Sequence, residues 1–201
     1  MGDVRRMELI GGHVALDFVN TLGGSPDRAD DEYVFEYEDL LTWLARVGLL
    51  TPARHRALGD AAAQDPAGSV RVLDDVRDLR GALDCILRCH LAGEAVDNGH
   101  LEVIRFAYAE AADHALLEQQ AASYRLSWNA SETVALRWPV WILAHVSMAL
   151  LTNAPLHLLG RCQHCRWMFL DHSRNHTRRW CSMKSCGAIM KMRRYRDARG
   201  T

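Results

Sequence analysis

Four cysteines near the C-terminal end, Cys162, Cys165, Cys181 and Cys186, follow the spacing C-x2-C-x15-C-x4-C. Two cysteines separated by two residues let one tight turn aim both sulfurs at a single metal, and a second pair completes the four ligands of a closed tetrahedral site. A shell of four thiolates leaves no coordination position for water or substrate, so the spacing predicts one structural Zn2+ and no metal catalysis. His164, His172 and His176 lie in the same stretch and are the competing ligands. Cys85 and Cys89 stand one helical turn apart and read as small buried apolar residues, with no function assigned.

The charges around the cysteines set the second expectation. The chain of 201 residues is nearly neutral, with 24 Lys and Arg against 25 Asp and Glu. That balance hides a split. From Arg161 onward there are eleven basic side chains against Asp171 and Asp197, a net charge of +9, which leaves −10 for residues 1–160. Such asymmetry points to an anionic partner for the basic end. Arg174, Arg178 and Arg179 precede the third cysteine, while Lys191, Arg193 and Arg194 follow the fourth. These six are the expected nucleic-acid contacts, because Lys and Arg at this density neutralise phosphates and release counterions. Trp180, beside Cys181, is expected to pack against the small core of the module.

The elements that position these residues follow from periodicity. Residues 166–172 carry strand-like Trp167 and Phe169, residues 173–177 are turn-like, and a helix follows Cys186, so knuckle, hairpin and helix succeed one another as in a treble clef or zinc ribbon. Upstream, apolar residues recur at helical spacing over 40–50, with Gly48 as a stop, and Thr51-Pro52 opens the next helix. Ser69 is the expected cap of a longer helix, and a further helix follows Asn98-Gly99. Alternation in residues 124–128 and 134–138 around a turn at 129–132 predicts a β-hairpin, and Pro139 opens an apolar helix to about residue 151. The fold class is therefore mainly α with a small antiparallel β element. Residues 1–159 form a mostly helical domain and residues 160–201 the zinc finger. No charged start with an apolar stretch and cleavage site precedes them, and no apolar run is long enough to span a membrane, which predicts a cytoplasmic chain.

At this point the residues resemble a known family. The stretches Cys162-Gln-His-Cys165, Phe169-Leu-Asp171-His-Ser173-Arg174-Asn175, Arg178-Arg179-Trp180-Cys181-Ser-Met183, Cys186-Gly187 and Lys191-x-Arg193-Arg194-Tyr195 are similar to the CGNR-type zinc finger. Leu16-Asp17-Phe18-Val19-Asn20-Thr21 resembles the opening motif of the ABATE domain, which precedes this finger in a bacterial family. The resemblance implies a stress-responsive transcription regulator with a DNA-binding finger and an N-terminal domain for sensing or interaction. One departure stands out: the naming motif Cys-Gly-Asn-Arg reads Cys186-Gly187-Ala188-Ile189 here, so an amide and a cation give way to apolar side chains. Zinc binding should survive this change, whereas base discrimination should weaken and phosphate contacts should dominate. Ile189, Met190 and Met192 can pack against the hairpin or a second chain.

The remaining candidates carry two readings each. Asp17, Asn20 and Thr21 either line a polar pocket for a small-molecule effector or cap and join elements through backbone bonds, and capping is favoured. Acidic residues between Asp27 and Asp39 read as solvated surface, with masking of the basic finger as the alternative. Three function classes follow: a non-enzymatic DNA-binding regulator, an adaptor whose finger is a platform for an acidic protein, and an enzyme using His13, Asp17 and Asn20. The regulator leads, with DNA as partner and a homodimer compatible with the apolar finger helix. No nucleophile, base and orienter spacing supports the enzyme.

Overall fold

The computed structural model describes residues 2–23, 32–128 and 136–200. They divide into two compact units. One comprises Val34–Thr152, and the other is assembled from Met1–Tyr33 together with Asn153–Thr201. The expected boundary at residue 159 separates the finger from everything before it in chain order; the structure instead groups the first 33 residues with the finger.

The central unit is helical: α2 (Tyr37–Arg46), α3 (Pro52–Gln64), α4 (Pro66–Ala92), α5 (Asn98–Asp113) and most of α6 (Trp138–Asn153). Thr51 caps α3 by accepting a bond from the Arg54 N–H, and Gly48 adopts φ +78° after α2, a left-handed stop that glycine takes without steric cost. α4 begins earlier than Ser69. Asp65 accepts the Gly68 N–H at 2.8 Å, Pro66 fills the first turn, and the Ser69 hydroxyl donates to the Pro66 carbonyl inside the helix. Leu40, Leu41, Leu44, Leu79, Leu83, Leu87 and Trp141 form the buried centre of the unit. Beside it the Arg137 guanidinium bridges Glu110 and Asp75, and the Trp141 indole N–H donates to Glu110 at 2.9 Å. These donors hold the Glu110 carboxyl below the usual carboxylate range, against the opposing effect of its burial.

The hairpin is real but uses a different partner. β1 (Ala115–Gln120) pairs antiparallel with β2 (Ser123–Trp128), in register from Ala115 opposite Trp128 to Gln120 opposite Ser123. Leu136 lies in a single helical turn and Trp138 begins α6, so these two do not form the second strand; the expected turn at 129–132 and Val134 lie outside the described residues. Part of the acidic stretch has a local task, since Asp39 accepts the N–H groups of Phe35 and Glu36 at the start of α2. Asp27, Asp30 and Asp31 lie outside the described residues.

The second unit contains α1 (Val14–Val19), β3 (Leu159–Arg161), β4 (Met168–Leu170), a π-turn at Met183–Gly187 and α7 (Ala188–Asp197). β3 and β4 are antiparallel, with Gly160 opposite Phe169. A Cβ on Gly160 would lie 2.8 Å from the Phe169 ring, so glycine lets the ring close over the strand. N-terminal residues complete this hairpin. Leu170 N–H donates to the Gly11 carbonyl at 2.8 Å, and the Asn20 amide spans Met168, donating to its carbonyl at 2.9 Å and accepting its N–H at 2.8 Å. Asn20 thus replaces the missing neighbour of an edge strand, in a position only 1% exposed.

Removing this amide orphans two buried backbone groups, each costing about 1–3 kcal/mol. Asn20→Ala is therefore expected to destabilise the finger-containing unit by about 2–5 kcal/mol, and Asn20→Asp to lose the donated bond while keeping the side-chain shape. Chemical denaturation followed by tryptophan fluorescence, with zinc content measured in parallel, reads both effects.

Candidate metal centre and basic surface

Zinc chemistry requires the four sulfurs to converge, and they do. Cys162, Cys165, Cys181 and Cys186 are all buried, with their sulfur atoms within 4.8 Å of one another. Cys165 lies 3.6 Å from Cys181, and Cys181 lies 3.4 Å from Cys186. A tetrahedral site with metal–sulfur bonds of roughly 2.3 Å separates its sulfurs by about 3.8 Å, so the cluster has the dimensions of one zinc ion. His164, His172 and His176 do not join it among the described residues. His176 is held elsewhere, with φ +48° and Nδ1 at 2.8 Å from the Asp171 carbonyl.

The same crowding sets the protonation of the four thiols. Hydrogen bonds from the Cys165 and Cys181 thiols pull Cys162 down, whereas the proximity of Cys162 pushes Cys165 up to about 12. Cys181 rises through the same crowding, and Cys186 rises chiefly through burial. Four buried thiols this close cannot all ionise alone. A divalent cation removes the conflict, and the four cysteines fit one structural zinc.

Local bonds shape the two ligand pairs. Between β3 and β4 the first knuckle is closed by the Cys162 N–H donating to the Trp167 carbonyl, and the Gln163 N–H donates to the Arg179 carbonyl at 3.0 Å. Cys186 sits inside the π-turn, where the Gly187 N–H returns to the Ser182 carbonyl at 2.9 Å before the chain runs directly into α7. A Cβ on Gly187 would approach the Met183 sulfur to 3.0 Å and Trp180 to 3.3 Å, which explains glycine after the fourth ligand. Trp180 is half-buried in this corner, as its place beside Cys181 implied. Asp171 orders the connecting loop by accepting the N–H groups of Ser173 at 2.9 Å and Arg178 at 2.8 Å, and the Ser173 hydroxyl, with these backbone bonds behind it, lowers its pKa.

The six expected nucleic-acid residues separate into two kinds. Arg174, Arg179, Lys191, Arg193 and Arg194 are exposed. Arg178 is not a surface cation of the same sort. Its guanidinium donates to the carbonyls of Trp180, Cys181 and Ile10 and lies 3.9 Å from the Phe169 ring centroid. Those bonds tie the N-terminal segment to the backbone of the third ligand. Sequence reasoning missed this role because the partners are carbonyls, one of them 168 residues away.

The motif residues near the N-terminus are also turned inward. Asp17 accepts the N–H groups of Ile10 at 2.9 Å and Gly11 at 2.8 Å, and the Thr21 hydroxyl donates to the Phe18 carbonyl at 2.6 Å. With Asn20 on Met168, each of the three side chains bonds backbone groups. His13, whose pKa burial lowers, accepts the Ala15 N–H as the cap of α1. Cys85 and Cys89 are half-buried on α4, and an Arg88 N–H points at the Cys85 sulfur.

A family model described as CGNR zinc finger matches residues 159–199. A second, described as Putative stress-induced transcription regulator and named ABATE, matches residues 12–154, most of the chain. The chain belongs to this family. Both descriptions name regulators or binding modules and neither names an enzyme class. No curated protein matches the chain. As an ABATE-CGNR protein it joins the two families in the expected order, although the ABATE match begins with residues that fold beside the finger. Among the described residues no helix is long and apolar enough to cross a membrane.

Three substitutions separate the ligand, its support and an exposed control. Cys181→Ser is expected to abolish stoichiometric zinc and the fold of the finger, because metal-binding energy is folding energy in such modules. Arg178→Ala should keep one zinc but release it to a chelator several-fold faster, whereas Arg179→Ala should release it at the native rate. Elemental analysis and chelator competition followed by absorbance measure these outcomes.

Proposed function

We propose that the chain is a transcription regulator that binds DNA through the basic surface of its zinc finger. The observation that carries this reading is α7. This helix grows directly from the π-turn holding Cys186, buries none of its residues, and exposes Lys191, Arg193, Arg194 and Arg196. Charge arranged around a bare helix suits a groove with phosphates on both walls. Exposed Arg174 and Arg179, in the same unit, add cations from the loop before Cys181. Zinc holds the π-turn that fixes the root of α7, and the cations supply affinity.

The helical unit is assigned the regulatory task. It carries a cavity of about 270 Å3 lined in part by Arg54, Arg125, Trp128, Trp138 and Ile142, which offers an anionic, partly aromatic effector both charge and apolar surface. Asp17, Asn20 and Thr21 are not part of that assignment.

The DNA-binding reading makes affinity depend steeply on salt. For about four to six phosphate contacts, log K against log salt should fall with a slope of roughly −4 to −5. Between roughly 50 and 200 mM salt this amounts to about 10²–10³-fold, measurable by fluorescence anisotropy on a labelled duplex. A flat response, or no binding at low salt, would instead favour a protein-binding platform.

A further inference from the structure

The finger helix carries an apolar feature that phosphate binding does not use. Ile189 is 51% exposed and Met192 is 60% exposed, so both present apolar surface to solvent. Residues 189, 192, 193 and 196 follow the i, i+3, i+4, i+7 spacing that places side chains on one helix face. That face therefore begins with Ile189 and Met192 near the zinc-anchored end and continues with Arg193 and Arg196. Lys191 and Arg194 lie on another side at the same periodicity.

We propose that Ile189 and Met192 contact thymine C5-methyl groups in the major groove, giving this finger a modest preference for thymine-bearing sites. The proposal rests on the DNA-binding reading above and names what the helix reads. An α-helix fits the major groove, where the thymine methyl is the apolar group a side chain can recognise. The cations of α7 select a polyanion over an apolar protein surface as the occupant of this face. Geometry supports neighbouring contacts: three residues of helix rise by about 4.5 Å, close to the roughly 3.4 Å between successive nucleotides. Met192 is unbranched and adapts to either step. Arg193 and Arg196, one turn further along the same face, then meet the backbone or the next base edge.

The discrimination expected is small and calculable. Burying one methyl group contributes about 0.8 kcal/mol, or about fourfold in affinity, so two contacts give about fifteenfold. This lies far below the specificity of proteins that read bases by paired hydrogen bonds, and it accords with the loss of an amide and a cation at positions 188 and 189.

Replacing thymidine by deoxyuridine removes only the methyl and leaves every hydrogen-bonding edge in place, which isolates the contact. Duplexes enriched from a random library by the native, zinc-loaded protein are resynthesised with deoxyuridine and measured by anisotropy. The native protein should bind the thymine form about 4- to 15-fold more tightly. The exposed-residue variant Ile189→Ala with Met192→Ala, checked for zinc content, should bind both forms equally while keeping the native salt slope. Equal binding of both forms by the native protein overturns the proposal, as does a variant that retains the preference. A variant that changes only the sedimentation of the protein also overturns it, by assigning the face to contact between two copies. Absence of binding to any duplex at low salt is a separate result: it removes the DNA-binding reading itself.

Discussion

Mutual repulsion among four sulfurs governs the finger-containing unit. The cysteine thiols are buried within 4.8 Å of one another, where a second thiolate beside the first is strongly disfavoured. A dication balances the charge of four thiolates and lets them share one centre. The two-turn arrangement, the glycine after the last ligand and the π-turn are ways of holding that centre closed. The helix that follows inherits its direction from Cys186, so charge on the surface is placed by coordination in the interior.

A small metal module seldom has enough apolar surface to stand on zinc alone, and here the N-terminal segment supplies the rest. Asn20 completes the edge of β4, Gly11 pairs with Leu170, and Arg178 links the Ile10 carbonyl to the backbone around Cys181. Trp167 adds an indole bond to the Gly23 carbonyl. Removing one partner from any of these leaves a buried polar group unsatisfied, which costs more than the bond itself contributes. The motif Leu16 to Thr21 thus serves the finger as much as the domain whose name it carries.

Legibility in the sequence tracked the range of the interaction. Metal ligation could be read outright because thiol chemistry and turn geometry are local, as could the α3 cap at Thr51-Pro52. The α4 cap is Asp65 and not Ser69, because Asp65 offers its carboxylate to the Gly68 N–H and Pro66 suits the first turn, while the Ser69 hydroxyl turns back to the Pro66 carbonyl. Alternation in β2 was genuine, whereas its partner Ala115–Gln120 follows α5 with no proline or glycine to mark a new element. Arg178 could not be distinguished from Arg179 by composition, since what separates them is a ring and three carbonyls brought in by folding. The same holds for Asn20, whose amide finds its partner 148 residues away.

The discontinuous unit also imposes an order on biosynthesis. Residues 1–33 emerge first, yet the strand they must cover and the sulfurs that close the site are translated only after Val34–Thr152. At about 5–20 residues per second, that interval is on the order of ten seconds. During it Phe18 and Leu16, destined for burial, have no β4 to pack on, while the helical unit already holds the local contacts that let it condense. A four-thiolate site cannot close until Cys186 has emerged, so the metal site is completed only after every residue of the helical unit has been made.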